Sequence, residues 1–433
     1  MAIEGMPRVK PWQVAGATVA VAVLGVLAAS QVAELRGGAP LLREFMAFYT
    51  VGHILNQSPA VLYDPDSFVR TYHALFPNVP AHVRQVYGHA PFEAVLYRPF
   101  ALLSFEWALV AWQMFSVAMI CAGFMLVWRL SWSLPRSQLL LALLFALSFP
   151  PVAVETIARG QVSALTFFWI ALAIWFQRRG REYSSGAALA MCLSKPTFLV
   201  LLLPMLMVGC RVRALIGFLG GAGFLGAASL LVVGWRGCLD YVSVLLHFGG
   251  LATTAGKSFV LSEYVDLNSF LRMATGGRQR LALGVLSLVA VGVVPYLVKL
   301  WWETRRGGDV ELSLAWASTL TWTTVLNLYV AAYDTPIVLL GLLLTSDGLY
   351  RANRGAIPWA LRVLFVLLYI VPWIPPVPIG AGKTLQLYTV VLGALGVYQL
   401  RVARRDAGGT GLDRDGRGIR SAQLATVRLS PSR

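Results

Sequence analysis

Charge is scarce in this chain. Only 13% of its 433 residues are Asp, Glu, Lys or Arg, against roughly 25% in soluble domains, so a soluble fold of this length is excluded. Acids are the rarer sign, 20 against 36 Lys and Arg. Cysteine is confined to Cys121, Cys192, Cys210 and Cys238, which stand singly without a Cys-x-x-Cys or a neighbouring His pair. Neither a disulfide framework nor a Cys-ligated metal is expected from them; a packed apolar role is. A Walker phosphate loop, a His-x-x-x-His pair and a serine-nucleophile elbow are all missing. ATP-driven transport and soluble-cofactor redox chemistry lose support accordingly. The alternating segments of roughly ten residues that build a transmembrane barrel are absent too.

What fills the chain instead is apolar sequence, 57% of it, in runs of about 18–22 residues, each long enough as a helix to cross a ~30 Å hydrocarbon layer. The expected fold class is all-α, a polytopic integral membrane protein. Its candidate spans cover 12–33, 105–128, 137–153, 160–177, 214–235, 281–302, 312–332, 335–350, 357–375 and 383–400. The first is read as a retained anchor, because Val14–Ala33 is longer than the core of a cleaved signal.

Residues 184–210 are harder. Basic residues flank them (Arg178, Arg179 and Arg181 before; Arg211 and Arg213 after), and Ser194-Lys195-Pro196 interrupts them. Proline removes a helix hydrogen bond, and Lys at bilayer depth costs ~2.5–3.5 kcal/mol on insertion scales. The expectation is therefore a hairpin that enters and returns, with Lys195 at its bend. That choice puts every later basic cluster on the cytoplasmic face together with both termini; a single crossing would invert them. A membrane domain then spans 1–400, with outer loops 34–104 and 236–280 expected to form short amphipathic helices on the membrane. The tail 401–433 carries eight Arg and three Asp and reads as disordered, touching anionic headgroups and not nucleic acid.

The outer segments gather the titratable residues. Glu44 opens Glu44-Phe45-Met46-Ala47-Phe48-Tyr49, with His53 close behind; it can be a general base at the membrane surface, or a surface acid paired with Arg43. Leu62-Tyr63-Asp64-Pro65 has the form of a turn. Arg84, His89 and Arg98 precede the second span and suit either a phosphate or an interfacial anchor. Gly160-Gln161 opens a helix with Glu155 and Arg159 just ahead. Asp334 sits between two spans, as an intramembrane functional acid or as a cap for the helix that Pro336 begins. Lys195 can bind a lipid phosphate or close its hairpin. Glu263, Asp266 and His247 carry no spacing signal.

Taken in order, Glu44-Phe-x-x-Phe-Tyr-x-x-Gly52, Leu62-Tyr-Asp-Pro65, Tyr87…Pro91…Pro99-Phe-Ala-Leu-Leu103, Gly160-Gln161, Lys195-Pro-Thr197 and Tyr333-Asp334 resemble glycosyltransferase family 87. The resemblance implies a GT-C-like bundle of about 10–12 membrane helices in the cell membrane, with its active site on the extracytoplasmic side. It implies transfer of a sugar, mannose foremost, from a polyprenyl-phosphate donor to an envelope glycolipid or polysaccharide. Members place an Asp where Glu44 stands, so the resemblance implies Glu44 as the catalytic base. A single base attacking in line would invert the anomeric centre. Tyr49, His53, Tyr63, Asp64, Arg84, His89, Arg98, Gln161, Lys195 and Asp334 are the candidates for substrate or phosphate binding. The donor being lipid-linked, neither cofactor nor metal is demanded. The rival reading is a carrier of lipid-linked sugars without bond chemistry, for which pseudo-symmetric halves and polar breaks at the midplane would be expected.

Overall fold

A computed structural model describes residues 11–37, 44–83, 85–131, 135, 138–254, 261–305, 308–352, 356–380 and 382–409. Arg43, Arg84 and the tail from 410 onward lie outside the described residues. The described residues are about 80% helical. In chain order come α1 (Pro11–Gly37), α2 (Glu44–Gln57), α3 (Pro65–Leu75), α4 (Pro91–Ala94), α5 (Phe105–Trp128) and α6 (Leu139–Ser148). After a π-helical turn at Pro151–Ala158 follow α7 (Ser163–Arg178), α8 (Glu182–Ala190), α9 (Leu199–Val208), α10 (Val212–Thr254) and α11 (Leu267–Thr275). The chain continues through α12 (Gln279–Glu303), α13 (Asp309–Val325), α14 (Ile337–Ala352), α15 (Trp359–Ile370) and α16 (Leu387–Gly409). The only sheet among the described residues is a hairpin, β1 (Val377–Gly380) against β2 (Lys383–Leu385).

Every apolar run predicted to span carries a helix, but the lengths differ. Among the described residues four helices are long and apolar enough to cross a membrane: Gln13–Ser30 within α1, α5, the Val212–Leu246 part of α10, and α12. The run at 137–153 is broken: α6 and the π turn meet at 61°, where Phe149-Pro150-Pro151 removes consecutive backbone donors. α13 and α14 are shorter and lie inside the protein. From Leu312 to Val325 every α13 residue is buried. Thr319 accepts from the Trp301 indole at 2.8 Å and donates to the Ala315 carbonyl at 2.7 Å. Thr324 donates to the Thr321 carbonyl at 2.7 Å, whereas the hydroxyls of Ser318, Thr321 and Thr323 are buried without a hydrogen-bond partner among the described residues.

The feet of the segment expected as a hairpin over 184–210 meet, Arg211 Nη1 lying 3.0 Å from Glu182 Oε1. Close approach of α8 to α10 depends on a small residue: a Cβ on Gly186 would lie 1.8 Å from the Ala214 carbonyl oxygen. That foot belongs to an arginine-rich end of the bundle. There Arg178 pairs with Asp309 (3.0 Å) and Arg351 with Asp347 (2.7 Å).

The opposite end is built differently. Its first element, α2, does not lie on a surface as its amphipathic appearance suggested. Phe45, Met46 and Val51 are fully buried, and the Phe45 ring packs against Trp112, Phe105 and Phe100 at centroid distances of 5.5–6.3 Å. This aromatic cluster extends through Tyr49, Tyr72 and Tyr97 and fixes where Glu44, the first residue of α2, must stand.

Candidate active site

Glu44 opens onto a cavity of about 280 Å³ at this end, shared with Glu155, Arg159, Glu263, Tyr333 and Gln386. Six stretches of chain converge on it, and local devices hold most of them. The Phe45 amide donates to the Arg159 carbonyl oxygen (3.2 Å), which seats α2 on the end of the π turn. Trp112 Nε1 donates to the Gly160 carbonyl at 2.9 Å. Gly160 has φ +78°, and a Cβ there would lie 2.6 Å from Phe45 Cβ. Both the left-handed backbone and the contact require glycine. Gly160→Ala should therefore cost roughly 1–3 kcal/mol in thermal unfolding and move Glu44 relative to Arg159; melting curves of the purified variant check the first part.

The other walls are equally anchored. Asp266 caps α11, accepting from the Ser269 amide and hydroxyl (both 2.9 Å), and also accepts from the Val330 amide at 2.9 Å. Burial pushes its carboxyl above the usual range, partly offset by those hydrogen bonds. With the Tyr264–Ala331 bridge, this ties the Leu261–Glu263 turn to the loop carrying Tyr333. The Tyr388 hydroxyl donates to Thr335 Oγ1 at 2.9 Å, joining α16 to the same loop.

Within the cavity Arg159 Nη1 pairs with Glu155 Oε2 at 2.9 Å. Tyr333 forms the inner wall. Its hydroxyl is pushed well above its ordinary pKa by burial and by the negative charges of Asp334 and Glu44, so it stands as a neutral donor. Behind it the tip of the α8–α9 hairpin arrives. Lys195 Nζ sits 4.6 Å from the Tyr333 ring centroid, pairs with Asp334, and donates to Ser163 Oγ at 3.3 Å. Ser163 in turn donates to Asp334 Oδ1 (3.2 Å). Both charged side chains are about nine-tenths buried. Asp334 is thus the partner of Lys195 and not a helix cap.

A second buried acid lies beside this group. Glu93 of α4 accepts from the Tyr97 hydroxyl and pairs with His89 Nδ1 at 3.0 Å. Burial raises its pKa, but the His89 charge, the two hydrogen bonds and the Lys195 charge outweigh burial, and the carboxyl lies below the usual range. A carboxyl more acidic folded than unfolded contributes stability that is complete above the unfolded pKa and fades as pH falls through the folded one. Lowering the pH below about 4.3 should therefore reduce the melting temperature of the wild type more steeply than that of Glu93→Gln.

The sequence candidates separate cleanly by place. Glu44 lines the cavity; Lys195 and Asp334 stand directly behind it. Gln161 is buried immediately after Gly160. His89 is engaged with Glu93. Arg98 is exposed and bonded to Asn56, Nε to Oδ1 at 3.0 Å. Tyr49 donates to the Leu103 carbonyl (2.7 Å) and Tyr63 to that of His89 (2.6 Å). Asp64 caps α3 through the Ser67 amide at 3.0 Å, the turn role its Asp-Pro dipeptide suggested. His53 packs edge-on against Tyr49, and burial lowers its pKa. Arg84 lies outside the described residues. The cation that lines the cavity is Arg159, with Glu155 and Glu263 as further acids; their positions beside spans were visible, their convergence was not. Trp373 and Gln386, which lie near the facing ends of the candidate spans 357–375 and 383–400, were missed.

Long apolar helices with an acid-lined cavity at one end of the bundle define a helical membrane protein with a polar site beside its spans. The profile of glycosyltransferase family 87 matches residues 87–328, more than half of the chain, and the chain belongs to that family. It is a membrane glycosyltransferase. No curated protein and no solved structure matches it. The matched stretch holds His89, Arg98, Gln161 and Lys195 but begins after Glu44 and ends before Asp334.

Proposed function

We propose that the protein transfers a sugar, mannose foremost, from a polyprenyl-phosphate donor to a hydroxyl of a cell-envelope glycolipid or polysaccharide. In this reading the fold is a GT-C-like bundle in the cytoplasmic membrane, with the cavity on the extracytoplasmic side and both termini inside. Glu44 takes the proton of the acceptor hydroxyl as its oxygen attacks the anomeric carbon. The bond from that carbon to the phosphate oxygen breaks, and the polyprenyl phosphate leaves with the electron pair. Positive charge develops on the sugar ring, as in glycoside hydrolysis. Arg159 balances the negative charge growing on the phosphate, its guanidinium being suited to two phosphate oxygens at once. Because the phosphate is already a good leaving group, one base suffices, and a single displacement inverts the anomeric configuration.

The observation that carries this reading is the shared cavity: the one carboxylate that opens α2 and a guanidinium line the same small space. Membership of a glycosyltransferase family favours bond formation over carriage. The test offers purified protein in lipid vesicles a short-chain polyprenyl-phosphate mannose together with envelope glycolipid extract. A glycolipid enlarged by one sugar, with inverted configuration at the new linkage, is the expected product; translocation of the donor without a new bond would refute the proposal.

A further inference from the structure

The cavity has a wall that the proposed chemistry does not use, and it is built from the C-terminal part of the chain. Trp373 lines it and keeps 44% of its surface exposed, with Pro372, Pro375 and Pro376 stiffening the loop on either side. Gln386, immediately before α16, also lines it and is only 8% exposed. Its amide is oriented by Nε2 donating to the Ser262 carbonyl at 3.4 Å, which leaves Oε1 buried without a hydrogen-bond partner among the described residues. An unpaired buried acceptor is costly, of order 1–3 kcal/mol, unless a ligand satisfies it. Glu263 adds a carboxylate beside Ser262.

A part-exposed indole, an unsatisfied amide oxygen and a carboxylate are complementary to a sugar ring. The indole covers the C–H face of the ring, and the oxygens accept from its hydroxyls. A volume near 280 Å³ sits at the small end of ligand sites, about 300–1,000 Å³. Resting on the function proposed above, Arg159 faces the donor phosphate and Glu44 the attacking hydroxyl, so this wall falls to the sugar that carries that hydroxyl. We infer that Trp373, Gln386 and Glu263 form the acceptor-sugar subsite, binding a pyranose through its apolar face and at least two hydroxyls. All but Glu263 lie beyond residue 328, outside the stretch matched to the family, so acceptor choice is set by a part of the chain that the family profile does not describe.

The probe is octyl α-mannopyranoside, followed by saturation-transfer NMR on the full chain in nanodiscs. Saturation of the sugar-ring protons is expected in the wild type and in Glu44→Gln, since the base is not needed for binding. It should fall about fivefold or more in Trp373→Ala and in Gln386→Leu, which strands the hydroxyl partner, and be largely kept in Trp373→Phe. In transfer assays the same two variants should raise the acceptor KM about tenfold, with the donor KM held. Ring saturation in the expected variant pattern without any sugar transfer would sink the proposed function and leave the subsite standing. Equal ring saturation and equal acceptor KM in wild type, Trp373→Ala and Gln386→Leu would overturn the subsite and make Trp373 an interfacial anchor only.

Discussion

Glu44→Gln should lose sugar transfer by roughly 10²–10⁴-fold in kcat, the range that a positioned general base supplies, while donor and acceptor still bind. The amide keeps the shape and hydrogen-bonding reach of the carboxylate but cannot take a proton at neutral pH. Since the side chain lines a cavity and the residues behind it, Phe45 and Met46, hold α2 in place, the variant should fold and insert as the wild type does. Glu44→Asp separates geometry from chemistry. The carboxylate is one methylene shorter in a site whose backbone is pinned by the Phe45–Arg159 hydrogen bond, so a partial loss is expected there. Steady-state rates with saturating donor and acceptor check both substitutions; unchanged transfer by Glu44→Gln would remove this residue from the mechanism.

The second large effect concerns stability. Lys195→Ala leaves Asp334 as a buried carboxylate with only Ser163 for company. Breaking one side of a buried pair costs about 3–5 kcal/mol, whereas replacing both charges by apolar groups of similar size is often neutral or stabilising. Lys195→Ala and Asp334→Ala should each lower the melting temperature sharply, and Lys195→Met combined with Asp334→Leu should recover most of it. The pair also binds the hairpin tip to the loop that carries Tyr333, so the double variant should regain stability but transfer sugar poorly. Melting curves beside transfer rates for the three variants read the two effects separately. Full activity in the stable double variant would show that the pair serves folding alone.

Much of this architecture was legible because the physics involved is local. Apolar runs announce helices, and the basic clusters on both sides of Ser194-Lys195-Pro196 announced a chain that returns to the end it left. The Arg211–Glu182 pair shows that it does. Glu44 stood out because acids are so few. Distances along the chain hid the rest. Lys195 and Asp334 are separated by 139 positions; Lys195 looked equally able to bind a lipid phosphate or to close its hairpin, and Asp334 to be a functional acid or to cap a helix, and only the packed fold pairs them. Arg84, His89 and Arg98 drew attention as cations crowded before a span. Yet Arg98 turns to Asn56 and His89 to Glu93, and the cavity takes its guanidinium from Arg159. Composition also concealed α2. Its mixture of Glu, aromatics and His reads as an interfacial helix until the aromatic cluster that encloses it is seen.

In the proposed mechanism Glu44 and Arg159 act on one donor in one cavity. The most direct measurement is a structure of Glu44→Gln in nanodiscs with a short-chain polyprenyl-phosphate mannose bound. The phosphate should lie within hydrogen-bond distance of the Arg159 guanidinium, with the anomeric carbon turned toward residue 44. A phosphate seated elsewhere, with residue 44 facing water and remote from the sugar, would contradict that mechanism.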